Sequence, residues 1–221
     1  MAFEWATQGA DFNGALSIKS MGVAGGAGGT EIVTNNAVVL LVDVVGRQGA
    51  ITDSIRGGRT EVNKNDPAAG NAFVLPWAAN HAVMTGLSGA QDIFVTPDLN
   101  GCAVFVAGSP GSPTVVHVNS QDKILDKGEP AFSPTASMSQ LATQMNVFKL
   151  SFKRPMWDAL YLALASKLIE LGRLPRDNLQ LLLPGQYLNA DVDSAAVFGH
   201  RHGGNWAFFW NANGRTTRFW G

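Results

Sequence analysis

Phe94-Val95-Thr96-Pro97-Asp98-Leu99-Asn100-Gly101-Cys102-Ala103-Val104-Phe105 leads, past Pro110, Gly111 and Pro113, into Thr114-Val115-Val116-His117-Val118. Short apolar runs rich in β-branched and aromatic residues, cut by Gly, Pro and Asn, are the pattern of strands joined by turns. Working outward, the same pattern predicts strands at Val38 to Val45, Phe73 to Trp77, Asp92 to Thr96, Ala103 to Val106, Thr114 to Val118 and Val147 to Phe152. Near the end, Trp206 to Trp210 and Thr216 to Trp220 flank Asn213-Gly214, a hairpin signal because both residues tolerate positive φ. A β-rich core follows.

Two helical segments interrupt it. Ser137-Met138-Ser139-Gln140 has capping-box spacing. Pro155 suits a first helical turn, and Trp157, Leu160, Tyr161, Leu164, Leu168 and Leu171 share one face before Gly172 and Pro175 end the run. That second segment reads as a helix packed on a sheet. The Gly-rich stretch Gly22 to Gly29 ends in no Lys-Ser/Thr pair and meets no dinucleotide fingerprint, so it reads as a loop. No repeat or domain boundary is visible, and residues 1–221 are read as one domain.

The chain has 221 residues, enough to bury a sizeable core, with 16 Lys+Arg against 17 Asp+Glu and a formal net charge of -1. Charged residues make up 15%, below the roughly 25% usual in soluble domains, and hydrophobic residues 46%, which argues against disorder. Near-neutral charge supplies no field for phosphate backbones, so no nucleic-acid partner is expected. Residues Met156 to Leu171 are too short and too charged to span a bilayer, and no membrane partner is expected. The start, with Glu4 and Asp11 and no cationic stretch before an apolar run, shows no secretory signal.

One Cys cannot form an intramolecular disulfide, so Cys102 is either a small buried hydrophobe or a reagent. It follows a Gly and opens an apolar strand, which places the thiol at a strand end. A turn through Pro110, Gly111 and Pro113 brings the strand carrying His117 back beside it, with His117 expected opposite Cys102. An imidazole there draws off a thiol proton that is otherwise mostly bound at pH 7. Thr96, at the end of the preceding strand, is placed to fix the His tautomer through its hydroxyl or its carbonyl, the task of the third group in such triads. Backbone amides at Gly101 and Cys102 are candidate oxyanion donors. The competing reading is a buried Cys and a core His, and spacing alone does not decide.

Leu99-Asn100-Gly101-Cys102, the following Val104-Phe105, a His on the next strand, Leu75-Pro76-Trp77 upstream and Thr96 six residues before the Cys together form a motif. It resembles the catalytic region of the Burkholderia lethal factor and cytotoxic necrotizing factor family of glutamine deamidase toxins. Asn100 stands where the family has Ser, and Pro97-Asp98 where it has aromatic residues. The resemblance covers about Phe73 to Asn119. It implies an α+β fold, a β-sandwich core of mixed and antiparallel strands flanked by helices. It further implies a Cys-dependent protein glutaminase with Cys102, His117 and Thr96 as catalytic residues, no cofactor and no metal. The implied partner is a host protein substrate, a DEAD-box translation-initiation helicase or a small Rho-type GTPase, met by a monomer that a bacterium secretes or injects into the host cytosol.

Two other features invite function. Asn205-Trp206-Ala207-Phe208-Phe209-Trp210 is a candidate aromatic binding patch of a non-enzymatic β-sandwich protein. His200 and His202, alternate residues of one strand, point two imidazoles the same way, with Asp191 and Asp193 nearby in sequence, but no third metal ligand has a convincing spacing. Substrate choice is expected in loops at Ala78 to Ala90, Gly108 to Pro113 and Asp191 to Gly204.

Overall fold

In the computed structural model the described residues are 4–19, 30–33, 38–43, 48–56, 59–66, 72–120, 154–189 and 191–221. Among them the chain forms strands β1 (Ala15–Ile18), β2 (Thr30–Val33), β3 (Val38–Asp43), β4 (Gln48–Arg56), β5 (Arg59–Asp66), β6 (Ala72–Val74) and β7 (His81–Gly86). Strands β8 (Ile93–Leu99), β9 (Ala103–Ser109), β10 (Ser112–Val118), β11 (Gln180–Leu182), β12 (Ala195–His202), β13 (Asn205–Ala212) and β14 (Arg215–Trp220) follow. Helices are α1 (Glu4–Gln8), α2 (Arg154–Glu170) and α3 (Pro184–Tyr187). The fold is a sheet-rich α+β arrangement, and no described helix is long and apolar enough to cross a membrane.

Eight strands pair in the order β1-β5-β4-β6-β8-β12-β13-β14, and six in the order β11-β9-β10-β7-β3-β2. Pairing is antiparallel except at β1 with β5, β6 with β8 and β3 with β7. Alternation decides what each strand buries. On β8, Phe94 enters the main core and Val95 a second cluster; on β12, Val197 and Phe198 divide the same way, and on β13 Phe208 and Phe209 do. The larger sheet is therefore apolar on both faces over these strands. Its inner face meets the smaller sheet, and its outer face is covered by Trp5 and Ala6 of α1 and Leu16 and Ile18 of β1.

Most expected elements are present. The hairpin at Asn213-Gly214 joins β13 to β14 with both residues at positive φ, the demand of a two-residue loop. In α2, Trp157, Leu160, Tyr161, Leu164 and Leu168 are buried as their spacing requires. Leu171 is not: the helix stops at Glu170, Gly172 takes φ +67, and Leu171 is left 46% exposed. Pro97 lies inside β8, tolerated where the pairing with β12 shifts register between Ala195 and Val197.

The regions expected to be substrate loops are partly strands. His81–Gly86 is β7, paired with β10 on one side and β3 on the other, and Ala195–His202 is β12. Gly108 to Pro113 also falls largely within β9 and β10, leaving Pro110-Gly111 as the turn. The expected helix at Ser137, the expected strand Val147 to Phe152 and the Gly22 to Gly29 loop lie outside the described residues.

Candidate functional site

The β9–β10 ladder pairs His117 with Val104 and Val118 with Ala103. The residue opposite Cys102 is therefore Asn119, not His117 as expected. His117 stands one step diagonally away on the same face, because residues two apart along a strand point the same way.

That face looks across the core to the larger sheet. There Thr96 Oγ1 lies 2.6 Å from His117 Nδ1 and 2.9 Å from the carbonyl oxygen of Leu75. A hydroxyl has one proton, and a carbonyl only accepts. Both contacts are satisfied when Thr96 donates to Leu75 and His117 Nδ1–H donates to Thr96. This assignment leaves the lone pair on Nε2, and Nε2 is buried without a hydrogen-bond partner among the described residues. The tautomer so held is the one a general base requires. Thr96 thus meets His117 through its hydroxyl, by a bond that spans the two sheets.

His117 is 1% exposed and burial alone pushes its imidazole down to about 3, so it is neutral at physiological pH. Cys102 is 5% exposed. Burial pushes its thiol up, opposed by the side-chain amide of Asn119 and the backbone amide of Asn100, which both favour the thiolate. The resting pair is accordingly a neutral thiol and a neutral imidazole, not an ion pair. With Nε2 unpartnered, the two are not hydrogen bonded to each other.

The loop that presents the sulfur is held from below. Gly101 has φ +83, and a Cβ there would come within 3.0 Å of the Trp157 ring, so both its backbone and its neighbour demand glycine. Tyr187 of α3 accepts from the Gly101 amide at 3.1 Å and donates to the Cys102 carbonyl at 2.7 Å. Tyr161 of α2 donates to the Gly101 carbonyl at 2.6 Å. The Gly101 amide, one of the two expected oxyanion donors, is thereby committed to Tyr187.

Above the sulfur opens a cleft of about 310 Å³, lined by Cys102, Asn100, Asn119, Trp77, Pro97 and Asp98 together with Ser17 to Lys19 of the β1 end. Asp98 fastens that wall, accepting from Ser17 Oγ and from the Ile18 amide, each at 2.7 Å. Cys102 lines the cleft and His117 does not.

Sequence reasoning missed Asn119, Asp98 and the two tyrosines. Asn119 had a signal, since it shares a strand face with His117 two residues before it. The tyrosines had none, because their partners lie far along the chain.

The remaining candidates resolve differently. Trp206, Phe208 and Phe209 are core residues, so the aromatic run of β13 builds no exposed platform. His200 and His202 do point the same way, with ring centroids 6.3 Å apart. Among the described residues no group of three or more potential metal ligands forms around them. Arg201, between them, pairs with Asp92 at 2.8 Å and stacks over Trp206. Comparison with known proteins finds no family model that matches the chain and no curated protein that matches it.

Proposed function

We propose that the chain is a cysteine-dependent protein glutamine deamidase, acting through Cys102, His117 and Thr96. The observation that carries the reading is the bond from His117 Nδ1–H across the sheets to Thr96, which leaves Nε2 as a base without a partner among the described residues, on the strand face shared with a thiol that lines an open cleft. A buried acceptor without a partner is costly in a purely structural role. It has a use if a proton is to arrive there.

The largely apolar lining favours a linear side chain with a polar end, which a glutamine is. Trp77 and Pro97 flank its methylenes, and its amide meets the sulfur beside Asn100 and Asn119. In the first step the Cys102 proton passes to His117 Nε2 as the C–S bond forms and the amide oxygen becomes an oxyanion. The oxyanion collapses, the C–N bond breaks, and the imidazolium gives its proton to the departing ammonia. Water then gives a proton to Nε2 and attacks the thioester, and release of the thiol leaves Glu on the substrate. Because the resting pair is neutral, charge separates only as attack proceeds, and the backbone amide of Cys102 is retained as an oxyanion donor.

The substrate is a folded protein with an accessible Gln, of the helicase or GTPase class that the sequence resemblance implies. The test is incubation with host-cell lysate and a search by mass spectrometry for Gln-to-Glu conversion. Wild type should convert at least one Gln, and Cys102→Ala and His117→Ala should convert none. Identical peptide maps for wild type and Cys102→Ala, with both candidate targets present, would sink the proposal.

A further inference from the structure

We infer that Asn119 is a catalytic residue, whose side-chain amide donates to the Cys102 sulfur at rest and to the substrate oxyanion during attack; this rests on the deamidase reading of the site. Nδ2 lies 3.0 Å from Cys102 Sγ. Amide orientation is commonly ambiguous, but here Oδ1 accepts from the Asn80 backbone amide at 3.3 Å, and a backbone amide can only donate. The NH2 end must therefore face the sulfur. The Asn119 backbone is fixed too, its amide donating to the His81 carbonyl at 2.9 Å.

The placement suits two successive tasks. Asn119 directly follows the last pair of the β9–β10 ladder, Val118 with Ala103, is buried, and yet lines the cleft beside the sulfur. Its NH2 has two N–H bonds. One points at the sulfur, where it stabilises the thiolate more than the thiol, since hydrogen bonds to charged acceptors are the stronger ones. The other is available to an oxygen bonded to the carbon that the sulfur attacks. A carboxamide neither gives up its proton nor accepts one at working pH, so it does not compete with His117. It also supplies the donor that the Gly101 amide, held by Tyr187, does not.

Two reactions of Cys102 separate these tasks without any glutamine. Iodoacetamide alkylates a thiolate by displacement at carbon and passes through no oxyanion. p-Nitrophenyl acetate acylates the same sulfur through a tetrahedral oxyanion, releasing p-nitrophenolate and leaving a thioacetyl group. Both rates are measured across the pH range for wild type, Asn119→Ala and Asn119→Asp. The Asp variant keeps the shape and the acceptor for Asn80, so it serves if the Ala variant does not fold. Removing an oxyanion donor costs on the order of 100-fold or more in acyl transfer. The acylation-to-alkylation ratio should accordingly fall by about that factor in either folded variant, and the alkylation profile should move to higher pH. A ratio unchanged from wild type overturns the assignment. Because neither reagent is a glutamine, absence of Gln-to-Glu conversion by wild type would remove the deamidase reading while the ratio still decides the role of Asn119.

Discussion

At the scale of single residues, the site depends on one hydroxyl with two obligations. Thr96 gives its proton to Leu75 and receives that of His117, so removing the hydroxyl frees both imidazole nitrogens to exchange tautomers. Thr96→Val keeps the shape and leaves the Nδ1–H buried without an acceptor, which should cost about 1–3 kcal/mol in stability. Activity should fall about 10–100-fold, the usual penalty for losing a group that orients a functional His. Thr96→Ser should restore most of both, and a Ser variant as poor as Val in deamidation and urea unfolding would contradict the assignment. His117 itself carries a pH signature. Its imidazole titrates at about 3 in the fold and near 6.5 unfolded, so below pH 6.5 the unfolded chain takes a proton the fold refuses. Stability is thus full above 6.5 and declines toward pH 3, by up to about 1.4 kcal/mol per unit. His117→Gln should show a shallower acid decline in urea midpoints between pH 6 and 4; parallel curves would mean that His117 does not carry it.

At the scale of elements, Cys102 is positioned by helices and not by its own strand. Tyr161 from α2 and Tyr187 from α3 make three hydrogen bonds to the Gly101-Cys102 backbone, and Trp157 packs against the glycine. Tyr187→Phe would orphan a buried amide and a buried carbonyl for the loss of one oxygen, which should destabilise by about 1–3 kcal/mol. If the loop then relaxes, Cys102 alkylation should change in rate at fixed pH while far-UV circular dichroism reports an intact fold. No change in either unfolding or alkylation would show that the clamp is redundant. The α2 helix was legible, since its leucines repeat at helical spacing and Pro155 and Gly172 bracket it. What Tyr161 does was not, because an amphipathic pattern tells which face is buried and never what it meets. Strand β7 was missed for a related reason: between Asn80 and Gly86 it has the look of a linker, and only its pairing with β10 and β3 on its two sides makes it a strand. Register was equally out of reach, and one residue pair of difference decided whether His117 or Asn119 faces the cysteine.

At the scale of the whole molecule, the site exists because two sheets meet. Thr96 belongs to one and His117 and Cys102's strand to the other, so the constellation assembles only when the two sheets come together; sequence order supplied the residues and could not supply the distance. The same closure recruits β1, which packs across β8, β12 and β13. Its Lys19 neighbour bonds Val62 on the β5 side, while the Leu16 and Ile18 amides on the other edge are met by Asn211 and Asp98 side chains instead of a strand. Asp98 thereby joins the wall of the cleft to the strand that leads to the cysteine. Burial raises its carboxyl above the ordinary value despite the opposing Ile18 amide and Ser17 hydroxyl, so ionised Asp98 is a net burden on the fold. The sign follows: as pH rises past about 3.8 the unfolded chain ionises first, and stability is lost until the folded carboxyl ionises too. Asp98→Asn can still accept from Ile18 through Oδ1 and can donate to Ser17 Oγ, without the charge. It should match wild type near pH 4 and be the more stable of the two at pH 7, by an amount read from urea midpoints. Asp98→Ala, lacking both bonds, should be less stable at either pH and should exchange its Ile18 amide hydrogen faster. An Asn variant weaker than wild type at pH 7 would mean that the charged hydrogen bonds outweigh burial, and that the carboxylate holds the cleft wall in place by its charge.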